Sequence, residues 1–178
     1  MQISVQHDLD RLMRKFSALG ATQINRSLNQ ALNRTATMAR TEAVREIRKT
    51  YDFKARTVRG TFRITRARGN QAEAVLTSAG RRIRLIDMSA KPGKTGASVR
   101  VTKQRKTIKS TFIARMPTGH VGVFEREGKK RLKIKEKFTI AIPEAFSAQA
   151  VREAMLAKVA DVLPRRFEHE LKRAMARL

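Results

Sequence analysis

Side-chain catalysis needs an acid, a base or a nucleophile brought to one place, and residues able to supply them are sparse here. The three histidines, His7, His120 and His169, fall in separate parts of the chain and show no metal-ligand spacing. There is no cysteine, which removes disulfides, thiol nucleophiles, iron–sulfur clusters and cysteine-bound zinc. The HExxH, Walker, GxGxxG and GxSxG patterns do not occur. Lys91-Pro-Gly-Lys-Thr-Gly96 has the composition of a phosphate loop without its order, and reads as a mobile turn. His120 follows Gly119 and reads as a loop or interface histidine. Asp87 stands amid Arg81, Arg82 and Arg84, which suits an ion-pair partner better than a general acid. No second carboxylate can be assigned to it for two-acid hydrolysis. The expectation is a protein that is not an enzyme and that uses no cofactor or metal.

The chemistry the sequence does offer is electrostatic. Forty Lys and Arg face fifteen Asp and Glu, a net charge of +25 on 178 residues, against roughly 2 to 8 for a small domain. Such a surplus repels itself and calls for a polyanionic neighbour, either nucleic acid or an acidic protein surface. Residues 81–109 are the densest part, with ten cationic side chains against the single carboxylate of Asp87, a net +9. Within it Arg81, Arg82, Arg84, Lys103, Arg105, Lys106 and Lys109 are candidate contacts for a polyanion or an acidic partner. They suit phosphates held without reading bases. Aromatics make up only 5% and Trp is missing, which argues against base-stacking modules. The same cations also suit a solvated face turned toward a protein partner. One reading of the chain is thus a non-specific nucleic-acid-binding protein.

These residues must be positioned by a fold that the periodicity outlines. Met1–Val5 alternates weakly, as a short strand or a loose arm. Asp8 can cap a helix carrying Leu9, Leu12, Met13, Phe16 and Leu19, which Gly20 ends or kinks. From about Thr22, Ile24, Leu28, Ala31, Leu32, Thr35, Ala39, Ala43 and Ile47 form one stripe of a long amphipathic helix. Arg26, Asn33, Arg40, Arg45 and Lys49 lie opposite. Residues 54–60 suit a short helix with Val58 inward. The period then changes to two: Phe62 and Ile64, then Ala72, Ala74 and Leu76, flank Gly69-Asn70 as a hairpin. Residues 82–86 form a short apolar segment, and residues 98–102, 111–114 and 120–125 read as strands. Residues 140–146 lead into a last helix with Val151, Met155, Val159, Val162, Phe167, Leu171 and Met175, which Pro164 should kink or split. The fold class is α+β: a long N-terminal helix packed on a small antiparallel β-sandwich or partly closed barrel, then a C-terminal helix. Residues 1–21 read as an arm or short helix and 22–178 as a single domain. Residues 1–20 lack the apolar centre of a signal peptide, and no run approaches the ~18 apolar residues of a membrane span. The expectation is a chain made in the cytoplasm, with no membrane partner.

Several segments taken in order carry a resemblance. The Ala-rich helix from Ile24 to Ala36 comes first. Ser78-Ala-Gly-Arg-Arg-Ile-Arg-Leu-Ile-Asp87, Gly119-His-Val-Gly-Val-Phe124, Arg131-Leu-Lys-Ile134 and Ala141-Ile-Pro143 follow it. Over residues 24 to 175 this set resembles the phage minor tail protein Z family, the tail-completion proteins of lambda-like siphophages and prophages. The chain departs from the family pattern at Arg84 and Lys133, where proline is common. The resemblance implies a tail-completion or neck-type fold and a structural role in the virion, at the head-proximal end of the tail. It also implies a hexameric ring that joins tail to head. The implied partners are the tail terminator, the tube protein, the head connector and other copies of the chain, with DNA possible in the lumen. Ile83, Leu85, Ile86, Val121, Val123 and Phe124, with Asp87 beside them, are candidates for core or subunit contacts. The arm can reach a neighbour.

Overall fold

The computed structural model describes residues 20–128 and 133–177. The arm and helix expected over residues 1–19, and Arg131-Leu132 of the fourth family segment, lie outside these. Helix α1 (Ala21–Thr50) opens on the Gly20 carbonyl, which accepts from the amides of Gln23 at 2.8 Å and Ile24 at 3.3 Å. Arg48 and Lys49 close it, where cations suit the negative end of the helix dipole. Most of the stripe read from the sequence is buried: Ala31, Thr35, Ala39, Ala43 and Ile47 are shielded from solvent, while Ile24, Leu28 and Leu32 are half-buried. After it come α2 (Ala55–Gly60), β1 (Phe62–Thr65), β2 (Val75–Ser78) and β3 (Arg82–Arg84), which passes into a single 3-10 turn, Leu85–Asp87. Then come β4 (Gly96–Val99), β5 (Lys106–Lys109), β6 (Thr111–Arg115), β7 (Val121–Arg126), β8 (Ile134–Glu136), β9 (Phe138–Ala141), α3 (Ile142–Phe146) and α4 (Gln149–Met175). This is a mixed α+β fold.

The described residues form two compact units. The first holds residues 20–40, 64–77 and 155–177. Its core is light: Ala31, Ala36, Ala39, Ala67 and Val162 are buried, together with Ser27, Asn29 and Thr35. Small side chains on α1 allow close backbone approach, and Ser27 Oγ donates to the Glu170 carbonyl of α4 at 3.5 Å. The expected turn is present. Arg68 and Gln71 exchange both backbone bonds, at 3.3 and 3.0 Å, around Gly69-Asn70, and Gly69 takes a left-handed φ of 54°. β1 and β2 pair as a two-stranded sheet. Helix α4 is not split at Pro164. The ring removes one amide from the ladder. Just beyond it, Arg165 Nε donates to the Asp161 carbonyl at 3.0 Å, and its Nη2 pairs with the Asp161 carboxylate.

The second unit holds residues 41–63, 78–128 and 133–154. Here the strands do not close into a barrel. β3 pairs with β9, β4 with β5, and β6, β7 and β8 form a three-stranded antiparallel sheet. Strands of three to six residues, with a register shift between Arg82 and Arg84 on the β3–β9 ladder, do not supply the continuous staggered ladder that closure requires. The core lies between the sheets. Leu85, Ala97, Val99 and Val123 are buried together, and Ile86, Ala90, Val101, Ile108 and Ile113 pack on them. At the other end of the unit, Val58 is fully buried, as expected, and Phe62 meets Phe146 edge-on at 5.0 Å.

Two local devices hold the β4–β5 ribbon. A Cβ on Gly96 would collide with the Ile108 carbonyl, so the strands approach this closely only because position 96 has no side chain. Thr111, buried, ties the ribbon to β6. Its Oγ1 donates to the Ile108 carbonyl at 2.6 Å and accepts from the Ala97 amide at 3.0 Å. Thr111→Val keeps the shape and removes both bonds. We expect a loss of about 1–3 kcal/mol in unfolding free energy, the cost of stranding buried polar groups, measured by urea denaturation against the parent.

Candidate functional site

The apolar candidates divide between core and surface. Leu85 and Val123 belong to the core cluster and Ile86 packs against it, while Ile83 is half-buried. Phe124, one residue on from Val123, points to the opposite face of the sheet. There it is buried and stands across from Phe112, ring centroids 6.3 Å apart. The Arg126 guanidinium lies 5.3 Å from the Phe112 ring. Val121 stays exposed at the start of β7. Asp87 is also exposed and accepts a fork of two bonds from Arg84, Nε at 3.1 Å and Nη2 at 3.2 Å. Sequence periodicity could not separate Val123 from Phe124, because both are apolar and the strand is buried on both faces. Beside the cluster lies an open groove of about 400 Å³ lined by Arg82, Leu85, Val101, Ile108, Phe138 and Glu144. Phe138 is 45% exposed, an aromatic the sequence reading did not single out.

The basic candidates are exposed, except Arg84, which is half-buried, but the pleat distributes them. The β4–β5 register pairs Gly96 with Lys109, Ala97 with Ile108, Ser98 with Thr107 and Val99 with Lys106. Lys106 therefore shares the core-side face with Val99 and Ile108 at its edge, whereas Lys109 shares the outer face with Ser98 and Thr107. Lys91 exchanges both backbone bonds with Ser98, each at 2.8 Å, which extends the outer face by one position. Arg105 Nη1 is held by the carbonyls of Ser89 and Ser98, both at 3.0 Å. Arg82 reaches Glu144 only at 3.9 Å, across exposed side chains, a contact worth little in water. Arg81, Lys103, Lys106 and Lys109 make no ion pair among the described residues.

Other polar groups meet without completing a catalytic set. His120 Nε2 lies 3.0 Å from Glu136 Oε2 across β7 and β8. Among the described residues no three His, Asp or Glu side chains gather as metal ligands, and no described helix is long and apolar enough to cross a membrane. In the first unit two helix amides grip the chain after β1. Asn33 brackets Ala67, donating from Nδ2 to its carbonyl at 3.1 Å and accepting its amide at 2.9 Å. Asn29 donates to the Gly69 carbonyl at 2.8 Å. Residues four apart on a helix advance ~6 Å and residues two apart on a strand ~6.6 Å, so the two periods match. Asn33 was thus misplaced on the solvent face by its polarity. The recurrence of Asn25, Asn29 and Asn33 at i, i+4 spacing was the signal available. The three amides line a cleft of about 490 Å³ together with Arg26, Gln30 and Arg68.

A family model described as prophage minor tail protein Z (GPZ) matches residues 7–178. No curated protein and no solved structure matches the chain. The bracketing of Ala67 carries its own test. Asn33→Ala should lower stability by about 1–3 kcal/mol and speed hydrogen exchange at the Ala67 amide. Unchanged exchange there would show that the side chain does not pin the strand.

Proposed function

The chain belongs to the prophage minor tail protein Z family and is a structural component of a phage tail; from that premise we propose that it completes the tail at its head-proximal end and enables the tail to join a DNA-filled head. It acts there as a ring, six copies being the number the family resemblance implies, and meets the tail terminator, the tube protein and the head connector. It is made in the host cytoplasm and does no catalysis. Residues 22–178 work as one domain, and residues 1–21 as an arm that reaches a neighbouring subunit.

The observation that carries this reading is the extent of the match, residues 7–178, nearly the whole chain. Charge supports it. A net +25 is costly on a free subunit and is relieved when acidic or phosphate-bearing neighbours surround it. The groove beside Phe138 supports it too, because exposed aromatics at the edge of an apolar floor are common anchors in protein interfaces. Deleting the gene and inspecting lysates by electron microscopy tests the proposal. Full heads and separate tails in place of joined particles are expected. Normal yields of joined, infectious particles would overturn it.

A further inference from the structure

The positive charge is compensated in some elements and not in others. On the helices several cations sit one turn from acids: Arg45 with Glu42, Lys49 with Glu46, Arg165 with Asp161, Lys172 with Glu168 and Arg173 with Glu170. The Glu168 carboxyl is held below its usual value by the hydrogen bond from Lys172 and then by that residue's charge. From Met88 to Phe124, by contrast, the chain contains no Asp or Glu at all. That span folds into the β4–β5 ribbon and the strands after it. Of its cations only Arg100 meets a carboxylate among the described residues, Asp52 at 2.6 Å.

The ribbon also has two unlike faces. Ala97, Val99 and Ile108 face the core. On the other face the register sets Lys91 beside Ser98, Ser98 beside Thr107, and Lys109 two residues beyond Thr107. Arg105 reaches the same face, since its Nη1 lies 3.3 Å from Ser98 Oγ. Gly96 leaves this face flat where it pairs with Lys109. We propose that this outer face, with Lys91, Arg105 and Lys109 beside the hydroxyls of Ser98 and Thr107, binds the phosphate backbone of duplex DNA without reading its sequence.

The residue types decide between DNA and an acidic protein. A protein interface draws its strength from buried aromatic and apolar anchors and is poor in Lys. This face carries no apolar side chain. Phosphate oxygens are contacted by Lys and Arg together with Ser and Thr hydroxyls, the set present here. The carbonyls of Ser89 and Ser98 fix Arg105 in advance, so less side-chain freedom is lost on binding. The inference stands on the ribbon itself and holds whether or not the subunits form a ring.

The test measures binding of the full-length chain to two short duplexes of unrelated sequence over about 50 to 200 mM salt. Equal affinity for both is expected, falling steeply with salt. The double substitution Lys91→Gln with Lys109→Gln should flatten the plot of log affinity against log salt by about 1.8, or about 0.9 per lost phosphate contact. Lys91→Arg with Lys109→Arg should keep the slope. A control pair, Lys158→Gln with Lys172→Gln on α4, removes the same charge from side chains that already face Asp161 and Glu168, and should also keep it. Circular dichroism confirms that each variant is folded. The proposal fails if no duplex binds at the lowest salt, if the control pair weakens binding as much as the ribbon pair, or if poly-glutamate competes as well as DNA of equal charge.

Discussion

Like charges held on a rigid scaffold repel unless a counter-charge is built in or brought from outside. Across 37 residues of this protein, Met88 to Phe124, the chain carries no acid, and among the described residues only Arg100 meets one from elsewhere, Asp52. At physiological ionic strength screening acts over ~8 Å, and neighbouring strands lie only ~4.8 Å apart. β4 itself has no cation, so the like charges here belong to β5 and to the segments that flank the ribbon, Lys91 and Arg105 among them. The ribbon holds its shape through the core beneath it and through two tight fittings: the missing side chain at Gly96 and the doubly bonded Thr111. Leu85, Ala97, Val99 and Val123 supply the apolar burial that offsets the repulsion. What the interior cannot supply is neutralisation, and that need points outward.

The helices resolve part of the same problem locally. Arg45, Lys49, Arg165, Lys172 and Arg173 are matched at one-turn spacing by acids, an arrangement worth a few tenths of a kcal/mol per pair. The helices keep a surplus of their own, six cations against two acids on α1 and six against four on α4, but only the stretch from Met88 to Phe124 runs so long without any acid. For a structural tail protein this division has a plain consequence. Helix faces with paired charges pack against other copies at less electrostatic cost, while the unpaired ribbon suits a polyanion.

The helices were legible in the sequence because periodic burial is a strong signal. The stripe from Ala31 to Ile47, the inward Val58 and the Gly69-Asn70 turn all appear where spacing and turn chemistry place them. β5, β8 and β9 were not legible. Lys106-Thr-Ile-Lys109 offers a single apolar residue, and only the register with β4 makes it a strand. Asn29 and Asn33 were hidden for the opposite reason. A polar side chain on a helix reads as solvated until a chain from elsewhere in the sequence is seen to present its backbone. The barrel that the strands suggested does not close, because strand length and a register shift are tertiary properties. The basic cluster was visible as composition, but its division between two faces of a pleat was not. The surface and partner roles of individual residues are set by the assembly, which one chain does not contain.

The central claim is that the uncompensated charge finds its counter-charge within the virion. Immunogold labelling of purified particles with an antibody to this chain tests it most directly. The account predicts label on intact virions, confined to the junction of head and tail. Particles purified to homogeneity that carry no label there, and from which the polypeptide is absent, would contradict it.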